Sequence, residues 1–191
     1  MSVEKEDVWI QSYGGYKLKP FNIDPASVSI LDIAHSLSML CRFGGHIREF
    51  YSIAQHSVHV ADILAGDAQE STRVAFIGLL HDCSEYALMD VPRPIKKVLP
   101  EYIAAEETLS YAIYDVFGVR KEEVDAAKSV VKWADNVALV WEAKNLLGGP
   151  PIDNWTEHYD VVAPETYPSQ CLTPQEAKAQ FLQRFSQYKG Y

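Results

Sequence analysis

The segment VAFIGLLHD, from Val74 to Asp82, decides how this chain is interpreted. Its apolar run from Val74 to Leu80 ends in a histidine followed by an aspartate. The run predicts a buried helix, and two polar side chains at its end are costly to bury without a partner. A divalent metal ion suits both, because imidazole nitrogen and carboxylate oxygen are ordinary ligands of zinc, manganese, cobalt and iron. The pair His81–Asp82 therefore predicts a metal site.

Two further candidate ligands, His56 and Asp135, have similarly apolar neighbours. Asp135 lies in VVKWADNVALVW, where apolar residues recur at helical spacing. Taken alone, Asp135 would be interpreted as forming a salt bridge to a core arginine or lysine, and His56 as a hydrogen-bonded core histidine. Together with the His–Asp pair, the four residues favour a metal-dependent hydrolase. His59 lies three residues after His56, and we interpret it as solvated or as supporting a ligand.

Composition places the chain among globular proteins of one domain. Its 191 residues suit a single domain, 1–191, with a core at about 26–147. The net charge of -9 argues against nucleic acid as the main partner, since phosphate backbones require a basic surface. Three widely spaced cysteines without a CxxC pair, no signal sequence and no membrane-length apolar stretch predict a cytoplasmic protein. The expected partner is a small molecule, and the oligomeric state stays open.

Periodicity predicts an all-α fold with a short N-terminal β-hairpin. Aromatic and β-branched residues flank Gly14–Gly15 within residues 8–22, which is typical of a hairpin. The segment DVPRPIK, from Asp90 to Lys96, predicts a stiff loop. Residues 150–172 are interpreted as a surface wrap. The predicted helices cover about residues 30–41, 51–64, 71–88, 101–117, 121–147 and 173–188.

Several motifs resemble those of the HD-domain phosphohydrolases. The matching strings are QHS (55–57), HDCSE (81–85) and WAD (133–135). HDCSEYALMDVPRPIK resembles the 5′-deoxynucleotidase subgroup and is similar to phage deoxyadenosine triphosphate phosphohydrolases and to the phosphohydrolase of oxetanocin biosynthesis. CRFGGHIREFYSIAQHSV is typical of the phage-like branch. The resemblance covers about residues 30–147.

The resemblance implies an HD-domain helical bundle that removes phosphate from 2′-deoxynucleotides. The implied substrates are deoxyadenosine mono-, di- or triphosphates, or analogues such as oxetanocin A phosphates. One divalent metal ion (cobalt, manganese, magnesium, iron or zinc) would be held by His56, His81, Asp82 and Asp135.

The same resemblance assigns roles to residues around the metal. Glu85 and Asp90 match catalytic carboxylates, although a solvated helix carboxylate and a turn carboxylate are the respective alternatives. Arg42 and Lys96 match phosphate-binding positions. Phe43 stands where 5′-deoxynucleotidases have a tryptophan that screens the sugar 2′ position, which makes strict deoxyribose selection an open point.

Five other residues have weaker assignments. Arg93 could bind phosphate, but we interpret it as a surface charge. Tyr86 could line a base pocket, but we interpret it as core packing. His35 and His46 are expected at the pocket mouth, and His158 on the surface.

Three alternatives to a nucleotide phosphohydrolase are a nucleotide sensor, a hydrolase of a non-nucleotide phosphate ester and a purely structural helical protein. A sensor would be expected to lose a metal ligand or Glu85, whereas all are present. A structural protein would leave His81, Asp82 and Asp135 unexplained. The extra histidines of two-metal oxygenases and the GYP-type motif of cyclic-dinucleotide phosphodiesterases do not occur.

Overall fold

The computed structural model describes residues 4–66, 68–149, 159–162 and 170–190. Its fold is mostly helical, with a two-stranded antiparallel hairpin of β1 (Ile10–Gln11) and β2 (Lys17–Leu18) near the N-terminus. The prediction of an all-α fold with a short hairpin is confirmed. Most of the predicted wrap, including His158, lies outside the described residues.

The helices follow the predicted order along the chain. Among those described, none combines the length and apolarity needed to cross a bilayer. Thr173 caps the last helix through a capping box with Glu176, three residues later in the chain. The helices are α1 (Ile30–Met39), α2 (Ile53–Ala65), α3 (Thr72–Leu79), α4 (Glu85–Leu88), α5 (Arg93–Lys96), α6 (Pro100–Val116), α7 (Lys121–Leu146) and α8 (Pro174–Lys189).

Helix α2 lies at the centre of the fold. It packs against α1, α3, α7 and α8. Between Ile53 and Leu64 every residue except Asp62 is buried. A helix that is surrounded on all sides carries its polar residues into the core as well. For this reason His56, in the middle of α2, is fully buried.

The predicted helix over residues 71–88 is interrupted at the His–Asp pair. Helix α3 ends at Leu79 and α4 begins at Glu85. Between them the amides of His81, Cys83 and Glu85 bond to carbonyls three residues earlier, which tightens the chain into successive turns. His81 and Asp82 therefore lie in a turn, and the prediction of one continuous helix over residues 71–88 was wrong.

Two loops beside this turn have left-handed backbone. Phe43 has φ 55° and is followed by Gly44 and Gly45, also at positive φ. Met89, at φ 68°, ends α4 before the proline segment. Within that segment, predicted as a loop, residues 93–96 form the short helix α5, because proline is tolerated in the first turn of a helix.

Gly78 allows α3 to approach α2 closely. A Cβ atom at this position would meet Cδ1 of Leu64, which is fully buried. Gly78→Val should cost about 1–3 kcal/mol of unfolding free energy through overpacking. Gly78→Ala should cost less, because only the end of one leucine must shift. Urea unfolding measures both, and an unchanged stability of Gly78→Val would contradict this packing.

Candidate metal centre

Three of the four predicted ligands form one compact group. His56 comes from α2, and His81 and Asp82 come from the turn between α3 and α4. One ligand atom from each lies within 4.8 Å of the other two. Nε2 of His81 is 3.1 Å from Oδ2 of Asp82, and Nε2 of His56 is 3.6 Å from the same oxygen. The group brings together the side chains that the sequence singles out.

Both imidazole rings are oriented by their Nδ1 atoms. Nδ1 of His56 donates to Oε1 of Glu142 at 2.7 Å, and Nδ1 of His81 donates to the Gly78 carbonyl at 2.7 Å. In the neutral ring each Nε2 then carries a lone pair. Both Nε2 atoms are buried, have no hydrogen-bond partner and face carboxylate oxygens. Nitrogen and oxygen lone pairs that face one another repel unless a proton or a metal ion lies between them, and a divalent metal ion fits this donor set.

Asp135, the fourth predicted ligand, lies at the edge of this group. Its Oδ1 is 3.3 Å from Nε2 of His56. Its Oδ2 accepts from Arg93 and from Lys132, each at 2.7 Å. The salt bridge considered as an alternative therefore exists, while the other oxygen still faces the group. A ligand role for Asp135 stays a prediction.

The group is strongly charged without a metal ion. Burial raises the pKa of Asp82 and Asp135, but His81 and His56 outweigh it, so both pKa values lie below the ordinary range. Burial and Arg42 lower the pKa of His56, yet Glu142 and Asp135 prevail and raise it to about 9. A proton on His56 and a metal ion on the same nitrogen thus compete.

Glu142 is a site residue that the sequence analysis missed. It is fully buried on α7, and besides His56 it accepts from Nε of Arg42 at 2.9 Å. The signal was present: Glu142 follows Asp135 by seven residues, two helical turns, within the apolar string VALVWEA. Burial raises its pKa, but Arg42 and His56 outweigh burial and lower it.

Arg42 is buried beside this group of candidate ligands. Its Nη1 lies 3.7 Å from Oδ2 of Asp82, and its guanidinium carbon lies 5.6 Å from the centre of the Phe43 ring. Burial lowers the pKa of Arg42, but Glu142 and Asp82 prevail and raise it. The guanidinium is therefore a fixed positive charge next to the candidate ligands.

Glu85 is buried rather than solvated, so that alternative was wrong. Its Oε1 accepts from Lys96 at 3.2 Å, while Oε2 is buried and has no hydrogen-bond partner. Burial, together with the charges of Asp82 and Asp90, raises the pKa of Glu85 well above its ordinary value. Lys96 also donates to Glu106. Burial likewise raises the pKa of Asp90.

The predicted site residues line one cavity of about 1030 Å³, with the exception of the deeper His56. Residues of α6 and α7 form the opposite walls, including Ile103, Tyr111 and Tyr114 from α6 and Val124 and Val131 from α7. The cavity is thus lined by the charged candidate site residues on one side, called its charged floor below, and by partly apolar walls from α6 and α7. Its volume greatly exceeds that of a phosphate group.

Two weaker assignments need correction. Arg93 is not a surface charge, because it donates to Asp135 and, at 3.1 Å, to Asn136. His59 is not solvated, because it is buried and shares a hydrogen bond with the hydroxyl of Tyr51.

The remaining assignments concern Tyr86, His46 and His35. Tyr86 packs in the core, as interpreted. His46 lines the cavity, whereas His35 does not and instead stacks on Tyr13 with ring centres 3.6 Å apart.

Similarity to other proteins places the chain in a family. The uncharacterized protein YfdR of Escherichia coli (strain K12) is 32% identical over 178 residues, which cover 93% of this chain and 94% of that protein. The chain belongs to the YfdR family. A second uncharacterized protein, from Rhodobacter capsulatus, is 30% identical to this YfdR-family chain over 144 residues, covering 73% of it and 74% of that relative. No family model matches the chain.

The names of both YfdR-family relatives state no activity. Membership of the YfdR family therefore leaves the function to be argued from the residues of the site.

His59 predicts how the stability of this YfdR-family protein changes with pH. Burial lowers its pKa to about 4, so the folded protein holds it neutral where the unfolded chain binds a proton. Its contribution is present above about pH 6.5 and is lost as the pH falls toward 4. The loss should reach about 3 kcal/mol at most.

Urea unfolding of the chelator-treated protein between pH 4 and 7 measures this effect. His59→Gln should flatten the pH dependence, while His46→Gln, at an exposed position, should leave it unchanged. Equal slopes for wild type and His59→Gln would refute the assignment.

Proposed function

We propose that this protein is a metal-dependent phosphohydrolase of the HD-domain type that removes phosphate from nucleotides. The resemblance in sequence points to 2′-deoxyadenylates or close analogues as substrates, and the three widely spaced cysteines favour the cytoplasm as the compartment. The observation that carries the proposal is the pair of buried Nε2 atoms of His56 and His81, which have no hydrogen-bond partner and face carboxylates beside a cavity lined by both acidic and basic side chains.

His56, His81 and Asp82, with Asp135 beside them, would hold one divalent metal ion. When bound, such an ion polarises a phosphoryl oxygen and lowers the pKa of a coordinated water. Asp135 would have to share its carboxylate between that ion and its two cationic partners, Arg93 and Lys132.

Cationic side chains of the cavity supply the counter-charge that a phosphate needs. Arg42, Arg93 and Lys96 all line it, although the chain as a whole carries a net charge of -9. Arginine can bind phosphate through two parallel hydrogen bonds, while lysine acts as a point charge. Each of the three also pairs with a carboxylate of the site, so an anionic substrate would compete with those carboxylates for the same N–H donors.

Glu85 is suited to hold a proton for the leaving oxygen. Burial, with Asp82 and Asp90, raises its pKa well above the ordinary value, which favours the protonated carboxyl; Lys96 holds Oε1 while Oε2 has no hydrogen-bond partner. A carboxyl group so placed can donate its proton as the phosphoester bond breaks. Asp90, in the same cavity, is the second carboxylate assigned to the sugar or leaving oxygen.

The size of the cavity supports an organic phosphate as substrate. Phe43 and the walls of α6 and α7 offer apolar surface beyond the charged floor. Aromatic and aliphatic side chains with a few fixed polar groups are typical of small-molecule sites. A nucleoside would use this surface, whereas inorganic phosphate would not.

The test is phosphate release from a panel of substrates by the cobalt-loaded protein. The panel holds deoxyadenosine and adenosine mono-, di- and triphosphates, with p-nitrophenyl phosphate as a non-nucleotide ester. The proposal expects faster release from nucleotides than from p-nitrophenyl phosphate. Release only from the non-nucleotide ester would favour the alternative of a non-nucleotide phosphate ester as substrate. No release from any substrate by folded protein would overturn the proposal.

A further inference from the structure

Glu142 contacts two residues of the site, although the proposed reaction assigns it no step. Its side chain is 0% exposed. One oxygen accepts from Nδ1 of His56 at 2.7 Å and the other accepts from Nε of Arg42 at 2.9 Å. A buried charge is tolerated only when such hydrogen bonds are made, so this placement is specific.

We propose that Glu142 is a positioning residue that holds the metal ligand His56 and the substrate-binding Arg42 in one fixed arrangement. The inference rests on the proposed function, because it assigns Glu142 to the same metal and phosphate site. One carboxylate thereby supports both the affinity for the metal ion and the affinity for the phosphate.

The first half of this role concerns His56. A charged acceptor on Nδ1 fixes the tautomer and the ring plane, so that Nε2 is presented toward Asp82 and Asp135. It also increases the electron density that the ring can donate to a metal. His81 has only the backbone carbonyl of Gly78 in the equivalent position, so the ionic support is particular to His56.

The second half concerns Arg42. Its Nε is committed to Glu142, and its Nη1 lies 3.7 Å from Asp82. Glu142 thus holds the guanidinium by a hydrogen bond, and Asp82 lies beside it at ion-pair distance, where Arg42 lines the cavity. A guanidinium has five N–H donors, and those that Glu142 does not use can serve an anionic oxygen in the cavity.

The position of Glu142 on α7 explains how both contacts are kept rigid. Glu142 follows Asp135 by seven residues, so the two backbone positions lie on one face of the helix with a rise of about 10 Å between them. Their carboxylates contact the two nitrogens of the same His56 ring. Helix α7 packs against α2, which carries His56. The packing of α2 against α7 therefore fixes the position of His56 relative to both Glu142 and Asp135.

The experiment compares cobalt and phosphate binding by wild type and Glu142→Gln. Glutamine keeps the shape but loses the charge, and it cannot accept from both partners. Glu142→Gln should bind cobalt about 10- to 100-fold more weakly, with a shifted cobalt absorption band. At saturating cobalt it should also bind inorganic phosphate about tenfold more weakly, because Arg42 is no longer held.

A structural control separates positioning from general destabilisation. Asp62 lies on α2, the helix that carries His56. It pairs with Arg184 at 2.7 Å, and neither residue lines the cavity. Asp62→Asn should leave both affinities within about twofold of wild type, well under the tenfold that one lost charged hydrogen bond allows. If Glu142→Gln does not fold, Glu142→Asp replaces it, since the shorter chain keeps the charge but cannot reach both partners.

The outcomes are distinct from those of the proposed function. Cobalt and phosphate affinities of Glu142→Gln within twofold of wild type, or equal losses in Asp62→Asn, would overturn the positioning role. A wild-type protein that binds cobalt but hydrolyses no substrate would sink the proposed function alone, because neither binding measurement depends on turnover.

Discussion

Replacing Asp82 with asparagine is expected to reduce metal-dependent phosphate release by at least about 10³-fold. Oδ2 of Asp82 lies 3.1 Å from Nε2 of His81 and 3.6 Å from Nε2 of His56, so one carboxylate oxygen faces both imidazole nitrogens. Asparagine keeps the shape but loses the negative charge that a hard cation needs. Losing metal-ion catalysis costs several kcal/mol of barrier, which corresponds to this factor. Turnover and bound cobalt per chain are measured together.

The matched control for Asp82→Asn is Asp125→Asn. Asp125 is an exposed aspartate at the start of α7 that pairs with Lys121. It should retain full activity and a full equivalent of cobalt. If Asp82→Asn kept more than about a tenth of the wild-type rate, the aspartate could not be a metal ligand in the reaction.

Glu85→Gln is expected to lower kcat by about 10²- to 10⁴-fold while cobalt binding is retained. The side chain is 3% exposed and its Oε2 has no hydrogen-bond partner, and the proposed function assigns it the proton for the leaving oxygen rather than a place among the metal ligands. Glutamine preserves the contact with Lys96 but has no acidic proton. The measurement is steady-state phosphate release beside a cobalt titration of the same sample.

Glu107→Gln is the control for this second change. Glu107 also lines the cavity, but it is exposed and lies 3.8 Å from Lys128. Its kcat should change by no more than about threefold, far below the loss expected for an acid catalyst. Equal losses in Glu107→Gln and Glu85→Gln would point to the charge of the cavity instead of a proton donor. Loss of cobalt from Glu85→Gln would place Glu85 among the metal ligands.

Much of the fold, and the convergence of His56, His81 and Asp82, could be predicted from sequence. Apolar periodicity located the helices, because packed helices must bury one face or more. Polar residues in those apolar settings identified His56, His81 and Asp82, since a buried polar side chain needs a partner. The three do converge, as the prediction required.

The turn that carries His81 and Asp82 could not be read from periodicity. Apolar residues continue from Val74 to Leu80 whether the backbone bonds span three or four residues. The change at Leu80 depends on local hydrogen bonds, including the one from Nδ1 of His81 to Gly78. Apolar periodicity indicates which side chains are buried, but it does not distinguish backbone hydrogen bonds that span three residues from those that span four.

Contacts between distant residues account for the other errors. Arg93 and Asp135 are 42 residues apart in the chain, and no local pattern pairs them. Glu142 did carry a signal, because it repeats the position of Asp135 two turns later. Its two partners, Arg42 and His56, become visible only when α2 and the Arg42 loop are placed beside α7.

The measurement that tests the central claim most directly is phosphate release before and after metal removal. The protein is depleted of metal with a chelator, assayed on deoxyadenosine mono- and triphosphate, and assayed again after cobalt is added back. Metal dependence predicts no release from the depleted protein and restored release with one cobalt per chain. Undiminished release in the presence of chelator, or none with cobalt bound, would contradict the account.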